Sequence, residues 1–469
     1  MNWLLFTTLV LIAAGMIAPA IWRKDHRLQF PCLVGFAFLL NVALPLASLM
    51  KQPDVVPAIA VARFETMAVL CLAAAWAGYA WPRAAKGPKI IEFDRTRLIV
   101  SATVLIAFGF IFSLKYGMIE PEYDPEKSGM TGIGTILLTL AATMRYGFIL
   151  VAVLVARTRE WILLPLLVPQ LIGYYRMLLI GRRSGTGEIA VIICMLLFFY
   201  RRWVLPLPLL MLGMVLAAMF SYNISEYRNT VDMSAGERIR AYRDENPLKF
   251  LTLSGMAEKN GYVEIYNGVN FIQATANSGH YTYGLHFWNQ IVFGYVPAQW
   301  LGREFKESLK ILLVDAAAEG GFEKSVGTCE SGIGEAFMAF GYLGCILFFG
   351  LGAYMRWLWE GAIRNSILHQ FLLMLSTIGA ILSFSAVLWA FLNQLIHIAI
   401  FAGPLLWWSS VKGAESAKVR NDQPSAPFGR RSPRRWGRQP GPAAPPKTQA
   451  SNAPSLPIYP HRGVKRKNS

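Results

Sequence analysis

Cysteine is scarce in this chain, five among 469 residues, and acidic side chains are outnumbered, 28 against 45 basic ones. Cys32, Cys71, Cys194 and Cys345 lie in apolar runs, where a thiol behaves as a small hydrophobe. Only Cys329 lies in a polar loop, so no disulfide framework is expected. There is no CxxC pair and no HExxH run, so neither a metal site nor a cofactor is expected. No internal repeat is visible, which removes the inverted-repeat logic of secondary transporters. The first apolar run lacks a basic leader and a small-residue cleavage site, and reads as a retained helix.

Charge of any kind is scarce, at 16% of residues, while 54% are hydrophobic and 13% aromatic. The apolar residues fall in blocks of about 20, the length that crosses a hydrocarbon core of about 30 Å. The expected class is an all-α polytopic integral membrane protein with eleven transmembrane helices. The spans are placed near 2–22, 28–50, 57–81, 98–114, 132–156, 161–180, 187–200, 204–222, 333–355, 368–390 and 394–410. Four parts follow: a membrane part over 1–222, a large outer loop over 223–332, a second membrane part over 333–410, and a tail over 411–469.

The net charge of +17 does not point to nucleic acid, because the tail carries 13 of the Lys and Arg against 2 acids. That tail also holds ten of the 26 prolines and no apolar periodicity, so disorder is expected there. Beside a lipid bilayer it is either a solvated cytoplasmic tail or a contact for anionic headgroups. The short loops at 23–27, 82–97, 157–159, 201–202 and 356–364 hold 14 Lys and Arg, and those on the other side hold five. Basic loops stay in the cytoplasm. The N-terminus is therefore expected outside, the C-terminus inside, and the loop over 223–332 in the periplasm of a bacterial inner membrane.

That topology makes the turn "GRRSGTG" (181–187) unusual, because it puts the adjacent Arg182 and Arg183 outside. Arg63, Arg145 and Arg176 lie within the spans, in the outer half or at its floor. Charge inside a membrane is costly and is a functional hypothesis by default. Guanidinium forks match phosphate oxygens and stay charged in a low dielectric. The five arginines therefore read either as a site for a lipid-linked pyrophosphate or as internal ion pairs, such as Arg145 with Glu65 or Arg182 with Glu188. The loop segment "SGHYTYGLHFWNQIVFGYVPAQWLGREFKES" (278–308) is rich in aromatics and carries His280, His286, Trp288 and Arg303. It suits sugar faces and hydroxyls, and equally an interfacial belt. Glu335, at the outer mouth of the ninth span, is a helix-start carboxylate or a base, and each histidine of the loop segment, His280 or His286, is a polar loop residue or a base toward a sugar hydroxyl.

Three of these motifs together resemble the Wzy-type polymerases of bacterial surface polysaccharides. They are the Gly-Arg-Arg-Ser turn at 181–184, the segment "YGLHFWNQIVFGYVPAQWLGREF" (283–305), and "GIGEAFMAFGYLG" (332–344). Pro297 is followed by Ala298 and Gln299 where the family carries a Pro-Arg pair, so Arg303 matches only approximately. The resemblance implies a GT-C-like, metal-independent glycosyltransferase. Such an enzyme joins undecaprenyl-pyrophosphate-linked oligosaccharides on the periplasmic face, for O-antigen, capsule or exopolysaccharide, and meets a chain-length regulator as partner. Arg63, Arg145, Arg176, Arg182, Arg183, Arg303, His286 and Trp288 would bind substrate, and Glu335 and His280 would act on the acceptor hydroxyl. Related O-antigen ligases share architecture and donor. A lipid-oligosaccharide flippase or a non-catalytic scaffold is the reading from a different class.

Overall fold

The computed structural model describes residues 3–52, 54–85, 88–119, 122–124, 129–131, 133–179, 183–216, 263–322 and 329–411. Arg182, residues 217–262 and the tail beyond 411 lie outside the described residues. The described residues all belong to one compact unit, Met1–Ser416.

This unit is helical. In chain order its main helices are α1 (Trp3–Trp22), α2 (Phe30–Leu49), α3 (Ala58–Ala80), α4 (Arg95–Tyr116), α5 (Ile133–Thr158), α6 (Val168–Leu179), α7 (Arg183–Arg201) and α8 (Leu207–Leu216). After them come α9 (Val263–Ser278), α10 (Leu285–Tyr295), α11 (Gly332–Phe340), α12 (Cys345–Ile363), α13 (Ile367–Leu382) and α14 (Leu388–Ser409). An antiparallel pair of three-residue strands, β1 (Glu122–Asp124) with β2 (Gly129–Thr131), precedes α5. Among the described residues seven helical stretches are long and apolar enough to cross a membrane: α1 to α5, α11 with α12, and α14. The expected spans at 161–180, 187–200, 204–222 and 368–390 also carry helix, but in shorter or less apolar form. The chain is thus a multi-pass α-helical membrane protein.

Two spans are interrupted by π turns, and in both a proline two residues on is the cause. Pro45 and Pro404 have no N–H to continue the helical ladder. The N–H of Leu44 reaches back to the Leu39 carbonyl, and that of Gly403 to the Ile398 carbonyl, five residues away instead of four. The expected ninth span, 333–355, falls within the apolar stretch Gly332–Ile363, which is broken inside. Gly341 adopts φ of 59°, ends α11, and opens a 3-10 turn over Gly341–Gly344. That turn brings Gly344 against the Ala336 carbonyl, so α11 is a separate nine-residue helix. Nine residues reach only about 14 Å, half a hydrocarbon core.

Small residues let the spans approach closely. At the α3–α12 contact, a Cβ on Gly78 would run into the Phe349 carbonyl, and one on Gly352 into the Ala75 carbonyl. With no hydrophobic drive between helices in lipid, such backbone-level packing holds spans together. Gly352→Ala should therefore cost about 1–3 kcal/mol, because only movement of a whole helix can relieve a backbone clash. A lowered thermal midpoint in detergent checks this, and an unchanged midpoint would show that α3 and α12 separate freely.

The loops assigned to one side by their charge do share a face. Arg27 donates to the Leu205 carbonyl at 3.3 Å, and Arg157 to that of Asn365 at 3.2 Å. Arg95 pairs with Glu160. The end of α14 joins the same face: Asp94 N–H donates to Ser409 O, and Val411 N–H to Glu92 O, both at 2.9 Å.

Candidate functional site

The opposite face is built around α11. Ser331 caps this helix, its Oγ accepting from the Gly334 N–H at 3.1 Å, with its own backbone at φ of 59°. The cap and the first turn bury Glu335, which is only 4% exposed. A buried carboxylate needs donors, and one oxygen, Oε2, accepts from the Trp389 N–H at 2.9 Å. Trp389 sits in the first turn of α14, so the carboxylate also faces the positive end of that helix. The other oxygen, Oε1, lies 3.6 Å from His286 Nε2.

His286 is the second residue of α10, whose start is turned by Gly284 at φ of 79°. Its Nδ1 lies 2.7 Å from the Thr282 hydroxyl. Thr282 is in turn tied to α11, its N–H donating to the Met338 carbonyl at 2.9 Å. Nε2 is buried and has no hydrogen-bond partner among the described residues. A hydroxyl, an imidazole and a carboxylate thus lie in line, and the 3.6 Å step is longer than a hydrogen bond. An imidazole set between a hydroxyl at Nδ1 and a carboxylate at Nε2 is a group that can take up a proton and have the resulting charge balanced. Phe287 and Trp389 stack beside it with centroids 6.4 Å apart.

Helix α9 connects this cluster to Arg63. Arg63 donates to Gln273 Oε1 at 3.0 Å, and Asn267 on the same helix donates to the Cys329 carbonyl at 3.2 Å. His280 goes elsewhere: its Nδ1 lies 2.7 Å from Glu319 Oε2, and both side chains are exposed. The two histidines thus differ in surroundings, and it is His286 that meets Glu335. The Trp288 indole donates to the Leu309 carbonyl at 2.9 Å, and the residue is 45% exposed. Arg303 opens a six-residue helix and is exposed. Tyr295, at the end of α10, donates to the Asn393 carbonyl at 3.0 Å. Burial, with a contribution from Tyr146, pushes its phenol up to about 12, so it stays a neutral donor.

Arg145 has an internal partner. Its Nη1 lies 3.3 Å from Glu188 Oε2, so the pairing of Arg145 with Glu65 does not form. Glu65 is fully buried, with no hydrogen-bond partner for either oxygen among the described residues. The Arg145 guanidinium also lies over the Tyr146 ring, 5.5 Å from its centroid. The Tyr146 hydroxyl is 2.7 Å from His397 Nδ1, and His397 Nε2 is 2.9 Å from the Thr139 carbonyl. A carbonyl only accepts, so Nε2 carries the proton and Nδ1 accepts from Tyr146. Trp389 and His397 lie on one helix, eight residues and about 12 Å apart, which places this buried network beneath the Glu335 cluster.

Of the other arginines, Arg176 is exposed on α6. Arg183 opens α7, but its side chain, like all of Arg182, lies outside what is described. Thr282, Tyr146 and His397 escaped the sequence reading. His397 had left a signal, as a lone histidine inside an apolar run. Thr282 left none. Among the described residues no group of three or more His, Cys, Asp or Glu side chains is placed to hold a metal ion.

The fold and site define a multi-pass α-helical membrane protein with a buried acid–base cluster on the face opposite its basic loops. Comparison with family models, curated proteins and solved structures gives no match.

Proposed function

We propose that the chain is a polysaccharide repeat-unit polymerase with eleven crossings, working on undecaprenyl-pyrophosphate-linked oligosaccharides at the periplasmic face of a bacterial inner membrane. The observation that carries this reading is the His286–Glu335 couple, buried beside aromatic rings and connected through α9 to the half-buried Arg63. In the reaction a sugar hydroxyl of one lipid-linked repeat unit attacks the anomeric carbon of the growing chain. The new glycosidic C–O bond forms as the bond to the lipid pyrophosphate breaks, with inversion. The electron pair leaves with the pyrophosphate, and the hydroxyl proton passes to His286, with Glu335 stabilising the imidazolium. Arg176, Arg182 and Arg183 stabilise the leaving charge, a role that needs no metal.

The test uses purified protein in liposomes with a lipid-linked repeat unit. Wild type should build a ladder of longer glycans, and Arg182→Ala/Arg183→Ala should lose it. Transfer to added lipid A–core in place of a ladder would make the chain a ligase. No transfer under either condition, with the native substrate supplied, would overturn the enzymatic reading in favour of a flippase or scaffold.

A further inference from the structure

On the face of the basic loops, α1, α2, the turn between them, α3 and α12 line a half-open cavity of about 230 Å³. A water molecule takes about 30 Å³ of liquid, so this space exceeds what a hydration site needs. Its lining is divided in character. Met16, Pro31 and Trp76 form an apolar wall, while His26, Gln29 and Arg356 supply polar groups.

The polar groups are partly committed and partly open. Gln29 is 5% exposed and accepts from the Tyr79 hydroxyl at 3.1 Å. Arg356 pairs through Nη2 with Glu360 at 2.6 Å, and its guanidinium lies over the Tyr79 ring, 5.3 Å from the centroid. Its Nε is buried with no hydrogen-bond partner among the described residues. Nε itself does not face the space, but the Arg356 side chain keeps 26% of its surface exposed and lines the cavity. His26 is held below its ordinary value first by burial, then by Arg23 and Arg356, with Asp25 opposing. Arg27, by contrast, is spent on the carbonyls of Ala20 and Leu205.

The level of the cavity is marked by indoles. Trp22 is 77% exposed, Trp81 39% and Trp76 37%, and exposed tryptophans collect at the headgroup level of a bilayer. Arg83 lies over Trp81, 5.7 Å from its ring centroid, adding a cation at the same level.

We infer that this cavity is a binding site for the phosphate headgroup of an anionic phospholipid of the inner leaflet, held by Arg356, His26 and Gln29. The guanidinium takes the phosphate oxygens, and the wall of Met16, Pro31 and Trp76 takes the first carbons of the lipid. A free phosphate would use the same polar groups but leave the apolar wall uncovered, and the exposed indoles therefore favour the lipid. The inference does not depend on the glycan chemistry of the opposite face.

The full-length protein, purified from phosphatidylglycerol-containing nanodiscs, tests it by native mass spectrometry. Wild type should retain one phosphatidylglycerol under conditions that strip phosphatidylcholine. Arg356→Gln should lower that occupancy at least fivefold. Ala80→Phe, which fills the lined space without touching a charge, should do the same and keeps the test open if Arg356→Gln fails to fold. Equal retention of phosphatidylcholine, or wild-type retention by Ala80→Phe, would overturn the site. Thermal stabilisation by inorganic phosphate equal to that by phosphatidylglycerol would overturn the lipid as its occupant.

Discussion

His286→Ala is expected to lower repeat-unit transfer by about 10²–10⁴-fold, the contribution of a positioned general base. The reason lies in what surrounds the ring. Thr282 holds one nitrogen, and the other is buried, unpartnered and directed at Glu335. Alanine removes the only imidazole that meets this carboxylate among the described residues. Glu335→Gln separates chemistry from folding, because the amide oxygen still accepts from the Trp389 N–H and keeps the start of α14 capped. The variant should melt close to wild type yet lose most of its ladder, since a neutral amide does not stabilise an imidazolium. Full ladder synthesis by Glu335→Gln in liposomes would remove the couple from the reaction and leave Glu335 as a structural cap.

The largest stability effect is expected inside the membrane. Glu188→Ala leaves the Arg145 guanidinium without its carboxylate in a region where Nε already lacks a partner among the described residues. Breaking one side of a buried pair typically costs about 3–5 kcal/mol, since the remaining charge is desolvated and uncompensated. Removing both charges is a different experiment. Arg145→Met/Glu188→Leu should recover most of the loss, because a well-packed apolar pair replaces a buried ion pair at little cost. Unfolding of the three proteins in one detergent measures this. A single variant as stable as wild type would show that Arg145 draws its compensation from elsewhere. A double variant as weak as the single one would show that packing around Tyr146 and His397 depends on the charge itself.

Legibility differed sharply between the two faces of the molecule. The basic loops at 23–27, 82–97, 157–159, 201–202 and 356–364 were grouped from charge alone, and contacts such as Arg27 with Leu205 and Arg157 with Asn365 put them together. At the candidate site, His280 and His286 differ by six positions in one aromatic segment, and no periodicity separates them. The turn at Gly284 and the tether of Thr282 to Met338 decide which one faces α11. The partner of Arg145 was equally hidden: Glu65 and Glu188 are both lone acids in apolar runs, and only helix rotation selects between them.

The sequence by itself determined the class, the approximate positions of the apolar helices and the grouping of the loops. Apolar length and loop charge are local sums, readable without knowing any neighbour. Only the tertiary structure decided the break of the ninth span at Gly341, the His286–Glu335 couple, the Arg145–Glu188 pair and the cavity at Arg356. Each of those depends on how far helices approach and how they are turned. Backbone contacts at residues such as Gly78, Gly344 and Gly352 set that approach, joining residues that lie far apart along the chain.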